Sequence, residues 1–165
     1  MGLGASKRVN NSLRNSSQFN SACDSAFTHC LSLTQHAYDG VLPYQLKTAS
    51  DHIHTLLLSD TNPHPLIHKW VATPPDRSQV DSALRRVNHR GETLGSAPFK
   101  DWAHELYTDA VVAGAGKALM LRVPVGVAGI VGIGALARPA PVVIGSFVGA
   151  YSLGVGISIF LGLSA

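Results

Sequence analysis

Apolar and polar residues follow one another along most of this chain with the period of a helix, and in the last third the polar ones run out. Phe19, Ala22/Cys23, Ala26/Phe27 and Cys30/Leu31 fall at helical spacing, which predicts a helix with one buried face. Ser16 or Ser17 stands where its N-terminal cap belongs. Asp39-Gly40 interrupts the pattern, and a second helix follows Pro43 with Leu46, Ala49, Ile53 and Leu56/Leu57 on its inner face. Thr61-Asn62-Pro63-His64-Pro65 reads as a loop. Leu66, Ile67, Trp70 and Val71 make one short apolar turn of helix, closed by Thr73-Pro74-Pro75. Ser78-Gln79-Val80-Asp81 has the form of a capping box and opens a third helix carrying Val80, Leu84 and Val87. Pro98 opens a fourth, with Phe99, Trp102, Ala103 and Leu106 inward, continuing through Ala110 to Ala118. No stretch alternates with the period of a strand, so the fold class expected is all-α.

The last third, from about Val123, reads as two apolar runs joined by Ala137-Arg138-Pro139-Ala140-Pro141, and no charged residue follows Arg138. The second run is long enough, at 1.5 Å per residue, to cover the roughly 30 Å of a bilayer's hydrocarbon core. The first, between Arg122 and Arg138, covers only about 22 Å and must borrow residues upstream, with Lys117 and Arg122 snorkelling. The prolines disfavour helix just before them and suit a turn. The expectation is a C-terminal transmembrane helical hairpin, with a shallow re-entrant first arm as the alternative. Small residues line both arms. Gly145 and Gly149 form G-x-x-x-G, extended by Ser152 and Gly156; Gly154, Ser158 and Gly162 form a second stripe; Gly126, Gly129, Gly132 and Gly134 thin the first arm. Close backbone approach through such residues is how helices associate in lipid, within the hairpin or in a homo-oligomer.

Charge and cysteines add little. The net charge is +3, and Arg85, Arg86 and Arg90 do not interleave with aromatics, so nucleic acid is not an expected partner. Cys23 and Cys30 lie about 10 Å apart along one helix, too far for a disulfide, and read as core thiols. With no secretory signal they point to a reducing, cytosol-facing compartment. Met-Gly-Leu-Gly-Ala-Ser matches the N-myristoylation pattern, with Gly2 as the acylated residue and Lys7-Arg8 beside it. One acyl chain holds a membrane only marginally, and the apolar tail would be the second anchor. The rival reading is an organellar transit peptide, since no acid precedes Asp24.

Four helices paired across two Gly-containing loops resemble a degenerate pair of EF-hands, as in uncharacterised membrane-associated plant proteins of that family. The first unit spans Phe19 to Leu57, with Asp39-Gly40 in its loop and Leu42 as the aliphatic residue that pairs the loops. The second spans Val80 to Leu106, with Leu94 in the matching place. The resemblance implies calcium; the residues argue against it. An EF-hand needs six to eight oxygens, with carboxylates at alternate places and a closing Glu. Those places fall on Gln35, Ala37, Asp39, Pro43 and Leu46 in the first loop, and on Val87, His89, Gly91, Gly95 and Pro98 in the second, with Glu92 where the turn glycine belongs. Weak or absent calcium binding, and no other cofactor or metal, is the expectation. Four unrelated helices joined by ordinary turns are the plain alternative.

Other chemistry is thin. His64 and His68 could share a face and bind zinc, but no Cys or carboxylate completes the set. Gly114-Ala115-Gly116-Lys117 lacks the first glycine and the final Ser/Thr of a phosphate loop. No catalytic constellation stands out, and the chain is not expected to be an enzyme. The organisation expected is an acylated, basic N-terminal arm over 1–17, a cytosolic EF-hand-like domain over 18–109 and a membrane-embedded hairpin over 110–165. The function expected is non-enzymatic: membrane anchoring of a helical domain that binds a protein partner through the groove between helix pairs. The alternatives are a calcium-binding signalling protein, and a glycine-rich channel or membrane-shaping oligomer. An organellar membrane is the alternative location.

Overall fold

The structure, a computed structural model, describes residues 3–59, 61–87, 91–137 and 141–163, with side chains over 4–59, 61–87, 91–121 and 148–163. Among the described residues seven α-helices follow in order: α1 Leu3–Asn15, α2 Ser17–Leu33, α3 Leu46–Ser59, α4 Pro65–Trp70, α5 Arg77–Val87, α6 Ser96–Ala137 and α7 Pro141–Leu161. A 3₁₀ turn, Pro43–Gln45, leads into α3. The described residues form no strand, and the chain is all-α as its periodicity implies.

Helix α6 is the hub, with α1, α2, α4, α5 and α7 all packing against it. Its inward residues recur at helical spacing, and Phe99, Trp102, Ala103, Leu106, Tyr107, Ala110, Val111 and Ala115 are buried. Phe19, Ala22, Cys23, Ala26 and Cys30 of α2 and Leu46, Ala49, Ile53 and Leu57 of α3 close the core from the other side. Two buried polar groups are fixed as they enter it. The Tyr107 hydroxyl donates to the Ser50 carbonyl at 2.8 Å, and the Trp102 indole donates to the Val80 carbonyl at 3.3 Å. Exposed ion pairs join α1 to α6 through Arg14–Asp101, α2 to α6 through Asp24–Lys100, and α5 to α6 through Arg86 with Asp109. Each is worth only about 0–1 kcal/mol; the apolar face makes the fold.

Several local expectations shift. Ser16 caps α2, accepting from the Phe19 N–H at 3.2 Å. The capping box of α5 sits two residues earlier than Ser78: Asp76 accepts from the Gln79 N–H and Gln79 accepts from the Asp76 N–H, both at 2.9 Å. Residues 3–15 of the expected N-terminal arm form α1, whose Ala5, Val9 and Leu13 are buried in the same core. The fourth helix continues past Ala110 as its spacing implies, and α6 runs without a break through Pro124 to Ala137.

Helices α6 and α7 pack on each other, and the last turn of α7 returns to the domain. Ile159 and Leu163 are buried, the Trp70 indole donates to the Gly162 carbonyl at 3.4 Å, and the Arg8 guanidinium lies 4.3 Å from the centre of the Phe160 ring. Among the described residues no helix is long and apolar enough to cross a membrane. The two arms are therefore helices without structural support for a full crossing.

Candidate functional site

The loop between α2 and α3 meets the loop between α5 and α6 at the pair Val41 and Leu94. Val41 and Leu94 form an isolated antiparallel β-bridge, each N–H donating to the other's carbonyl at 2.8 Å. Gly40 is glycine for lack of room: a Cβ there would stand 2.5 Å from the Leu94 carbonyl oxygen. The α2 side of the loop is bent sharply. The Thr34 and His36 N–H groups both reach the Leu31 carbonyl, and Gln35 and His36 hold φ of 51° and 58°. Left-handed conformations of this kind cost non-glycine residues about 1–2 kcal/mol.

The pairing falls on Val41, one residue before the Leu42 that the sequence favoured, while Leu94 is where it was expected. Counted from the bridge, the places where an EF-hand carries its ligands move back by one, to Thr34, His36, Tyr38, Leu42 and Gln45, and Asp39 leaves the set. Asp39 and Glu92 are both exposed. Gln45 closes the loop and is buried. Its side-chain oxygen accepts from the Leu42 N–H at 3.0 Å, and its NH₂ donates to the Cys30 carbonyl at 2.9 Å. One amide thus ties the end of α2 to the start of α3 across the loop interior, the region a coordinated cation holds together in a calcium-binding hand. Among the described residues no group of three His, Cys, Asp or Glu side chains could hold a metal ion.

No family model, curated protein or solved structure matches this chain.

The remaining candidates scatter. Gly2 lies outside the described residues, as do the side-chain surroundings of Gly126, Gly129, Gly132 and Gly145. A Cβ at Gly149, Gly154 or Gly156 would meet open space, and Ser152 is half-buried. His64 is buried at the start of α4 whereas His68 is exposed, so they do not form a zinc pair. His54 donates through Nε2 to the Val71 carbonyl at 2.9 Å, and His52 stacks on His29 with ring centres 4.5 Å apart. Cys23 and Cys30 are free and buried. Burial pushes their thiols up to about 12 and about 11, so both are neutral and unreactive. The glycines before Lys117 lie within α6, and Gly114 serves packing: a Cβ there would stand 1.9 Å from the Trp70 carbonyl oxygen.

Hollows open on the surface of the described residues. One, of about 560 Å³, lies between α2 and α3, where the serines Ser17, Ser21, Ser25 and Ser59 share the lining with Gln18, Ala22, Leu56 and Leu57. Another, of about 490 Å³, lies between α4, α5 and α6. Gln45 was missed in the sequence, although Leu42-Pro43-Tyr44-Gln45 carries the signal: proline at the first helical position and Gln at the third.

Proposed function

We propose that this chain is a non-enzymatic, membrane-anchored scaffold in which a degenerate EF-hand pair, held by the Gln45 amide instead of calcium, presents a helical surface to a protein partner. The observation that carries this reading is the reciprocal Val41–Leu94 pairing of two helix-loop-helix units around a loop whose interior is satisfied by Gln45. A loop closed by an amide has no charge with which to offset the dehydration of a divalent ion. Membrane anchoring is supported by the absence of any charged residue after Arg138 and by large apolar side chains left exposed on the described parts of α6 and α7, including Met120, Leu121, Leu153, Ile157 and Leu161.

The hairpin dips into the bilayer from the domain's side and comes back to it. Between Leu121 and Ala137, α6 advances about 24 Å, less than the roughly 30 Å of the hydrocarbon core. The docking of Ile159, Gly162 and Leu163 brings the end of α7 back to α1 and α4. Acylation of Gly2 would add a second hold on the same, cytosolic, face.

Full-length protein is expected to float with phosphatidylcholine vesicles, resist extraction at high salt, and show no heat of binding on titration with millimolar calcium. Micromolar calcium affinity would sink the loop reading, and failure to float would sink the anchor. A second reading, assembly through α7, is favoured by the open space at Gly149, Gly154 and Gly156. Cross-linking in vesicles tests it: a discrete oligomer lost on Gly149→Leu supports it, and an unchanged monomer removes it.

A further inference from the structure

We propose that the hollow between α4, α5 and α6 seats the headgroup of an anionic glycerophospholipid, making the anchor selective for negatively charged membrane. The inference rests on the membrane reading above and adds a specific lipid site to it. Lys69 from α4 and Lys117 from α6 both line this hollow, with Trp70, Asp76 and Leu121. Its volume of about 490 Å³ is within the range of small-ligand sites, roughly 300–1,000 Å³.

Charge favours an anion. Lys47 and Lys100 are ion-paired with Asp51 and Asp24, whereas among the described residues neither Lys69 nor Lys117 has a carboxylate partner. Asp76 is the one acid lining the hollow, and its Oδ1 is already committed to the Gln79 N–H at the start of α5. The Lys69 ammonium lies 5.0 Å from the centre of the Trp70 ring, whose indole N–H is held by the Gly162 carbonyl. The tryptophan therefore gives the lysine a fixed wall to rest on.

The rim favours a lipid over a free phosphate. Leu121, which lines the hollow where α6 leaves it, is 70 % exposed, and its chain neighbour Met120 is 79 % exposed. Apolar side chains of this size have no use to a soluble anion. Beside a phospholipid whose phosphate meets the two ammonium groups, they meet its acyl chains. A Trp and two lysines at the junction of polar and apolar surface is also the composition of a membrane–water interface.

The test uses full-length protein in uncharged detergent micelles, titrated with short-chain phosphatidylserine or phosphatidylcholine and followed by tryptophan emission. Phosphatidylserine is expected to bind and phosphatidylcholine to bind far more weakly. Lys69→Gln with Lys117→Gln should weaken phosphatidylserine binding about 25-fold, from about fivefold per basic side chain. Lys69→Arg with Lys117→Arg should retain it, and the charge-matched Lys47→Gln with Arg85→Gln should leave it unchanged. Both lysines are at the surface, and unchanged far-ultraviolet circular dichroism checks that the double variant folds. Equal binding of the two lipids, or full binding by the Lys→Gln double variant, overturns the proposal. So does binding of glycerophosphoserine or inorganic phosphate as tight as the lipid's, which would make this a soluble-anion site. Flotation with pure phosphatidylcholine vesicles reports separately on the anchor.

Discussion

Replacing Gln45 with leucine keeps most of the volume and removes both hydrogen bonds that close the first loop. Gln45 is 4 % exposed, so water does not readily replace it. The Leu42 N–H and the Cys30 carbonyl lose the partners they have in the structure. At about 1–3 kcal/mol for each buried group left unsatisfied, with half-buried Leu42 at the low end, the variant should lose about 2–4 kcal/mol. That is a large share of the roughly 5–15 kcal/mol that holds an ordinary domain together. In urea unfolding followed by tryptophan fluorescence, a slope of about 2 kcal/mol per molar turns the loss into a midpoint about 1–2 M lower, with the slope unchanged. Gln45→Glu sharpens the test by installing the carboxylate on which a calcium-binding loop closes. It can still accept from Leu42 but cannot donate to Cys30. It should therefore be destabilised as well and gain no calcium response, because Thr34, His36, Tyr38 and Leu42 supply no carboxylate. A leucine variant within about 0.5 kcal/mol of the parent, a difference too small for two lost bonds, would refute the lock. A parent midpoint raised by calcium would refute it equally.

Gly40→Ala puts a methyl group against the Leu94 carbonyl and should cost about 1–3 kcal/mol, read as a lower melting temperature; an unchanged melt means the bridge does not hold the loops. Gly114→Ala should cost a similar amount, since the Trp70 backbone must move to admit it, whereas Gly116→Ala, which meets open space, should be neutral or slightly stabilising. Burial holds His64 and His104 below the ordinary histidine range, and each keeps one buried ring nitrogen without a partner. The unfolded chain then takes up these protons first, so stability is full above about pH 6.5 and falls below it, by at most about 1.4 kcal/mol per pH unit for each. A urea midpoint as high at about pH 5 as at about pH 7.5, values on either side of the free histidine pKa, would contradict this, and His104→Leu should flatten the dependence.

The helices that carry the core were legible wherever a wide apolar stripe recurs. Phe19 to Cys30, Leu46 to Leu57, and Phe99 to Leu106 all appear as the period implies. Helix α1 was not, because its buried face is only Ala5, Val9 and Leu13 among asparagines, serines and basic residues. Three residues at four-residue spacing are easily taken for the background of a polar arm. The loop pairing was legible to within one residue. Leu94 was placed correctly, and Val41 was passed over for Leu42 because both are aliphatic and the turn glycine was assumed to precede the pair by two. The role of Gln45 was hidden by reading the loop only for acids. The return of α7 to the domain was hidden for a different reason: an uncharged apolar run is equally suited to lipid and to a protein core, and sequence alone does not divide it between them.

The continuity of α6 joins what the sequence separates. The bridge at Leu94 ends two residues before α6 begins, and that same helix carries the hub of the core, the Lys117 side of the charged hollow and the first arm of the hairpin. A flexible linker would let a tethered domain rotate freely above its anchor; an uninterrupted helix does not. It is held at its base by α1, α2, α4 and α5, and α7 is held at its end by Trp70 and Arg8. The loop pair therefore sits at one end of the rod and the apolar arm at the other. On the proposed reading, a partner seated on the helical surface would meet the bilayer at a set distance and angle. On the same scaffold reading, the Gln45 amide would hold the loop in one geometry whatever the ion concentration.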